Sequence, residues 1–418
     1  MTFFIKNKFI AKYEDVIYTW LCIAIVYTML LLTYVNTLLI ILLASFWLFF
    51  SEKKFNIRSG KTKLLLLFVS LYLIGVAGLI ITSDTQAGLA TLKTKSALFF
   101  FPLIFGTTHV LSPAKLRTIL NHFLIAVAIA SLAGLGYGLY HFIQTGNPEK
   151  VTGSSILLFH AFRPPLMGLF CLLAVIIAFQ KLPAAAGKRK ILLWAFICLM
   201  TLMILLLSIR LIIFCWLLTG LFFLMKQILS WKKRILFLTT IIAIFFVSSI
   251  AIPSLKQQWR ELFDFSKSNF IILDRDASMG KSWGGKALRV AIWQCSADIL
   301  HKHWLTGVGT GNVQHSLQQA YENRMFYFAS RYNRYNAHNQ YLQIALANGM
   351  PGLLLLLCCI GYPLLHYRKK FSGDVYGLFL LLFAAAGLTE SLLEVNKGIV
   401  WYSFFNSIFA FGFYKKQE

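Results

Sequence analysis

Long apolar runs separated by short polar segments make up most of the chain. A helix that crosses a bilayer needs about 20 apolar residues, and runs of about this length recur throughout the sequence. The run 191–226 is too long for one crossing at about 1.5 Å per residue, so it predicts two helices joined by a tight turn near Ser208–Arg210. In total the pattern predicts about twelve membrane-spanning helices, at residues 16–34, 36–50, 63–82, 95–110, 120–143, 164–180, 191–208, 211–226, 235–252, 341–365, 374–392 and 398–414.

The segment 253–340 interrupts this pattern because it is long and polar. Its many aromatic residues either lie at the level of lipid headgroups or stack on sugars. We expect three regions: 1–252 with nine helices, 253–340 as one large loop with short helices, and 341–418 with three helices and a tail. The predicted fold class is an all-α polytopic membrane protein, since a spanning β-barrel would show alternating segments of about 10 residues.

The charge distribution predicts how the helices are oriented. Only 13% of the 418 residues are charged, whereas a soluble chain carries about 25%. The net charge of +25 would suggest nucleic acid in a soluble protein, but cytoplasmic loops of membrane proteins also collect Lys and Arg. With the N-terminus inside, 23 of these residues fall in inside segments and 6 in short outside loops. We expect both termini in the cytoplasm, the large loop outside, and no nucleic-acid partner.

Two arginines are candidates for binding an anion. Arg210 lies within an apolar stretch, where an arginine costs about 2.5–3.5 kcal/mol; the alternative is a side chain that snorkels from a hairpin tip. Arg289 lies near the start of a predicted helix, just after Gly284 and Gly285. A guanidinium there suits bidentate phosphate binding, and an ordinary solvated loop arginine is the alternative.

His338 is the candidate general base, because an imidazole can accept a proton at physiological pH. It lies where the large loop meets the tenth predicted helix, and a purely structural histidine is the alternative. Gly349 would share a helix face with His338 if the helix were continuous. The stretch Gly349–Gly352 should bend that helix and let a neighbour or ligand approach.

Other charged residues have weaker assignments. Glu390 and Glu394 flank the outer end of the eleventh predicted helix, where Arg210 and Lys397 are their expected partners. Three further arginines precede His338 and would share one face if they lay in a helix. They either bind phosphates of an acceptor or form a solvated face near anionic headgroups. These three are Arg324, Arg331 and Arg334.

One spacing pattern is similar to a known signature. His338 and Asn339 are followed by nine residues, Gly349, two residues and Gly352, which resembles the signature of bacterial O-antigen ligases. The glycine-rich run 307–311 is typical of the wider superfamily. The resemblance extends over essentially the whole chain, but O-antigen polymerases share much of the pattern.

The resemblance implies a role for each candidate. Arg210 and Arg289, the latter in a Gly-x-x-x-Arg-x-x-x-Trp context, resemble two essential arginines that would bind pyrophosphate. His338 would be the catalytic base, and Glu390 occupies the place of a supporting family acid. The glycines would leave space for a polyisoprenyl chain. The remaining supporting residues are Asn339, Gly349 and Gly352.

The implied fold is like that of C-type glycosyltransferases, with one large periplasmic loop between helices 9 and 10. The implied reaction transfers a glycan from undecaprenyl pyrophosphate to a sugar hydroxyl of lipid A-core, with inversion and with no cofactor or metal. It takes place at the periplasmic face of the bacterial inner membrane, among membrane lipids and other lipopolysaccharide-assembly proteins as candidate partners. The alternatives are an O-antigen polymerase and a transporter that moves the lipid-linked glycan without chemistry.

Overall fold

The computed structural model describes residues 8–53, 60–108, 112–157, 163–227, 285–367 and 373–412, with five further positions between 235 and 247. All regular secondary structure in these ranges is helical. Short 3-10 turns and one π-helical segment, Phe328–Asn333, connect some of the helices. Numbered in chain order over the described residues, the α-helices are α1 Lys8–Leu31, α2 Thr33–Phe50, α3 Gly60–Ala77, α4 Thr85–Lys95, α5 Ala97–Thr107, α6 Pro113–Thr145, α7 Pro164–Lys181, α8 Gly187–Leu207, α9 Arg210–Gln227, α10 Gly285–His303, α11 Val313–Asn323, α12 Gln340–Tyr367, α13 Gly373–Gly387 and α14 Asn396–Gly412.

Among these ranges, eight helical stretches are long and apolar enough to cross a membrane. The described part of the chain is therefore all-helical and consistent with a polytopic membrane protein, as the apolar runs predict. Two further predicted spans form shorter apolar helices, Arg210–Phe223 and Val375–Gly387. The predicted ninth span, 235–252, lies mostly outside the described residues. The eight stretches are Tyr13–Leu31, Thr33–Phe50, Gly60–Ala77, Thr85–Thr107, Pro113–Thr145, Pro164–Ala184, Gly187–Leu207 and Gln340–Leu365.

The predicted fourth span, 95–110, has the wrong start. The helical stretch there is Thr85–Thr107 and consists of α4 and α5. Asp84 begins α4, because its carboxylate accepts a hydrogen bond from the backbone N–H of Ala87 at 2.8 Å. Polar side chains interrupt α4, so a search for apolar runs passes over it.

The predicted turn between the seventh and eighth helices is confirmed. Helix α8 ends at Leu207 and α9 begins at Arg210. Ser208 has a φ of 58° and its N–H donates to the carbonyl of Leu205 at 3.0 Å. This left-handed residue reverses the chain and places Arg210 at the first position of α9.

The buried side chains form two clusters. The larger one fills the helix bundle, where most residues of α7 and α14 are buried. The smaller one joins α10 and α11 to the first half of α12, through residues such as Ile292, Tyr321 and Leu346. This second core fixes the region 285–339 against the start of α12, where His338 lies.

Candidate functional site

Three of the predicted site residues meet at one point. Arg289 lies on α10, His338 directly before α12, and Glu390 directly after α13. The Nη2 of Arg289 donates to Oε1 of Glu390 at 3.0 Å. The other carboxylate oxygen of Glu390 lies 3.8 Å from Nδ1 of His338. Glu390 therefore contacts both the predicted phosphate-binding residue, Arg289, and the predicted base, His338.

The guanidinium of Arg289 is held by two groups of the same loop. Besides the bond to Glu390, its Nε donates to the carbonyl of Thr389 at 3.2 Å. The side chain of Arg289 is 32% exposed and that of Glu390 only 15%. The ion pair is thus buried on its acidic side and open to solvent on its cationic side.

His338 is held in an unusual backbone conformation. Its φ is 44°, and its N–H donates to the side-chain oxygen of Asn336 at 3.0 Å. The ring of Tyr335 lies 5.6 Å from the imidazole, centroid to centroid. Neither Asn336 nor Tyr335 was predicted to belong to the site; the available signal was an asparagine two residues before a tight turn.

Asn339 connects His338 to the loop that carries Glu390. Its side-chain oxygen accepts hydrogen bonds from the N–H groups of Tyr341 and Leu342, at 2.9 and 3.1 Å, and so caps α12. Its Nδ2 donates to the carbonyl of Leu388 at 3.2 Å, and its N–H donates to Oγ of Ser391 at 3.2 Å. These hydrogen bonds therefore hold together the two chain segments that carry His338 and Glu390.

The surroundings of Glu390 lower the pKa of its carboxyl. Burial raises the pKa of Glu390. The neighbouring His338 and Arg289 lower it by a larger amount, so the pKa lies below the ordinary value of 4.5. A group with a lowered pKa in the folded protein stabilises the fold above its ordinary pKa, and that stabilisation is lost as the pH falls through the lowered value.

The structure places cations other than the expected Arg210 and Lys397 beside the two glutamates. Glu390 pairs with Arg289 and His338, and Glu394 pairs with Lys95 at the end of α4. Arg210 and Lys397 were expected because they are near in sequence or topology. The partners instead come from α4 and α10, which are far from the glutamates in the sequence and so could not be predicted from it.

The stretch Gly349–Gly352 bends the helix and lets a neighbour approach, as predicted, but that neighbour is protein and the expected continuous face is absent. His338 precedes α12 and Gly349 breaks it with a φ of 64°, so the two residues do not share a continuous helix face. A Cβ added at Gly349 would lie 2.1 Å from the carbonyl oxygen of Leu305, and one at Gly352 would lie 2.6 Å from Cβ of Asn348. Protein atoms, rather than a polyisoprenyl chain, occupy this space.

The glycine-rich run 307–311 packs against the same break in α12. The N–H groups of Val308 and Gly309 donate to the carbonyls of Leu346 and Ala347, at 2.8 and 3.1 Å. Gly309 has a φ of 91°, and a Cβ there would lie 2.6 Å from Oγ1 of Thr82. Close backbone contact explains why glycine stands at these positions.

The three arginines before His338 do not share a helix. Arg324 follows α11 and forms a bidentate pair with Asp298, at 2.7 and 2.9 Å. Arg331 lies over the ring of Tyr327, with 4.9 Å from Cζ to the ring centroid. Arg334 has a φ of 46°, which ends the π-helical segment. The expected common face is therefore wrong, because left-handed residues interrupt the helix.

Arg210 is half-buried at the start of α9. Helix α9 packs against α7 and α13, and α13 leads into the loop with Glu390. This neighbourhood is compatible with a common site, but membership of Arg210 in it stays a prediction.

The comparisons with known proteins bear on the central part of the chain. Residues 194–357 match the family model described as "Wzy_C: O-Antigen ligase". This segment contains Arg210, Arg289 and His338, whereas Glu390 lies beyond it. A search of curated proteins found no match. The family match confirms the resemblance seen in the sequence, and it supports membership of the O-antigen ligase and polymerase superfamily for this segment.

Proposed function

We propose that this chain is an O-antigen ligase, which transfers a glycan from undecaprenyl pyrophosphate to a sugar hydroxyl of lipid A-core. The observation that supports this most is the shared acid, since Glu390 contacts both Arg289 and His338. Transfer from a pyrophosphate to a hydroxyl requires a fixed cation for the leaving group and a proton acceptor for the hydroxyl. Both occur here within one small cluster.

Arg289 and Arg210 bind the pyrophosphate in this proposal. Negative charge develops on the leaving oxygen, and a guanidinium that always carries its proton stabilises it. Glu390 and the carbonyl of Thr389 orient Arg289 before the donor arrives. This orientation reduces the reorganisation needed during the reaction.

His338 takes the proton from the acceptor hydroxyl. The carboxylate of Glu390 lies on the Nδ1 side of the ring, which favours a proton on Nδ1 and an unprotonated Nε2. The distance of 3.8 Å between Nδ1 of His338 and the carboxylate of Glu390 is longer than a hydrogen bond. Contacts of this kind are often long without substrate and shorten in the complex.

The bond changes in the proposed reaction balance without a cofactor. The acceptor oxygen attacks the anomeric carbon of the glycan while its proton passes to Nε2 of His338. The bond between that carbon and the pyrophosphate oxygen breaks, and the oxygen keeps the electron pair. Attack from the side opposite the leaving group inverts the anomeric configuration.

The remaining features of the sequence prediction complete the proposal. The bias of 23 to 6 basic residues supports cytoplasmic termini and a periplasmic loop at 253–340, between the ninth and tenth of twelve helices. The site then faces the periplasm from the inner membrane. Arg331 and Arg334 are the weaker candidates for contacts with acceptor phosphates.

A reconstituted assay distinguishes the proposal from its alternatives. The purified protein is placed in vesicles with a lipid-linked glycan and lipid A-core, and the products are identified by mass spectrometry. Glycan joined to lipid A-core supports a ligase. A lengthened lipid-linked glycan would instead indicate a polymerase, and a chemically unchanged donor that has moved across the bilayer would indicate a transporter.

A further inference from the structure

The loop 388–394, which we call the acidic loop, is held by cations at two points. Glu390 contacts Arg289 and His338. Glu394 pairs with Lys95, the last residue of α4. The side chains of Lys95 and Glu394 are 20% and 18% exposed, so this second pair lies largely out of water.

Between these two points the acidic loop rests on the residues that follow His338. The N–H of Leu393 donates to the side-chain oxygen of Gln340 at 2.7 Å. Asn339 bonds to the carbonyl of Leu388 and the hydroxyl of Ser391. A displacement of the loop at Glu394 would therefore act on the same contacts that set Glu390 beside His338.

We propose that Lys95 is a positioning residue for the glycosyl transfer. It acts through Glu394 and the acidic loop, and it holds Glu390 in place against His338 and Arg289. This inference rests on the function proposed above. It joins α4, which carries no signature residue, to the reacting groups.

Loss of the Lys95 charge would leave Glu394 largely buried without its cation, which favours movement of the carboxylate toward water. A cavity of about 30 Å³ is bordered by Lys95, Gln340 and Leu393 among others, and it has space for a water that could solvate a displaced group. A misplacement of about 1 Å at reacting groups can lower a rate about 100-fold.

The test compares kinetics and backbone exchange in four variants. Lys95→Met and Glu394→Gln each remove one charge of the pair, and Lys95→Arg keeps the cation. Lys93→Met is the matched control, because Lys93 is an exposed lysine of the same helix. We expect the first two variants to lower kcat about 10- to 100-fold with little change in the donor KM. Lys95→Arg should retain most of the activity, and the control should behave as wild type.

Hydrogen–deuterium exchange of the peptide covering 388–394 supplies a readout that needs no activity. Exchange at Leu393 and Glu390 should become faster in Lys95→Met and Glu394→Gln and stay unchanged in Lys93→Met. An unchanged exchange rate, or an unchanged kcat per folded enzyme, would overturn the inference. If Lys95→Met fails to fold, Glu394→Gln decides alone. If the wild type transfers no glycan, the proposed function fails, and exchange still shows whether Lys95 positions the loop.

Discussion

Replacement of Glu390 by glutamine changes one charge at the centre of the site. Glutamine is nearly isosteric with glutamate, so packing is retained while both electrostatic contacts are weakened. Arg289 loses the anion that holds it at 3.0 Å, and His338 loses the anion near Nδ1. We expect Arg289 and His338, the proposed phosphate-binding residue and base, to be held less firmly at the same time.

The exposure of the ion pair between Arg289 and Glu390 determines how much free energy its loss costs. Breaking a fully buried ion pair costs about 3–5 kcal/mol, whereas an exposed pair contributes about 0.2–1 kcal/mol. With 15% exposure at Glu390 and 32% at Arg289, the pair lies between these limits, at about 1–3 kcal/mol. If that loss is felt in the transition state, the rate falls about 5- to 150-fold.

The assay is the transfer rate in reconstituted vesicles, normalised to folded protein. Glu322→Gln is the matched control, because Glu322 is an exposed glutamate on α11. We expect kcat to fall in Glu390→Gln and to stay at the wild-type value in the control. A Glu390→Gln protein with the wild-type rate would refute the role of Glu390 in holding Arg289 and His338.

Four further changes or conditions should have measurable effects. Arg289→Ala should lose nearly all transfer and Arg289→Lys much of it, as measured by kcat/KM. Loss of one charge-assisted contact raises the barrier by about 2–4 kcal/mol. A fully active Arg289→Ala would contradict phosphate binding by Arg289. Wild type should be more heat-stable than Glu390→Gln at neutral pH. The difference in stability should shrink as the pH falls below 4.5, because the pKa of Glu390 is lowered. A difference that grows in acid would contradict a lowered pKa of Glu390. A cysteine at Tyr332, which is 77% exposed, should react with an impermeant reagent from the periplasm in a background without the native cysteines; labelling only after the inner membrane is permeabilised would overturn the orientation. Arg331→Glu should weaken binding of lipid A-core more than binding of the donor, whereas equal losses would indicate misfolding.

Apolar run length predicted most of the membrane-spanning helices, because the bilayer imposes about 20 apolar residues on each crossing. The turn at Ser208 followed from the same length argument. Helix α4 was not predicted, since its side chains are too polar to form an apolar run. Its role depends on where Lys95 lies in space, which hydropathy does not encode.

The site was predictable in its members more than in its contacts. The spacing around His338 pointed to it as the proposed base, but the signature glycines contact Leu305 and Asn348. Arg289 and Glu390 are 101 positions apart in the chain, so their ion pair depends on tertiary packing. Left-handed residues such as Arg334 broke the helix on which the common arginine face depended.

The proposed role of His338 as the base is tested most directly by measuring transfer and donor binding side by side in His338→Ala. If His338 is the base and the arginines hold the donor, transfer falls about 10²- to 10⁴-fold while binding of the lipid-linked glycan stays close to that of wild type. A His338→Ala protein that transfers glycan at nearly the wild-type rate would contradict the account and leave Glu390 as the remaining candidate base.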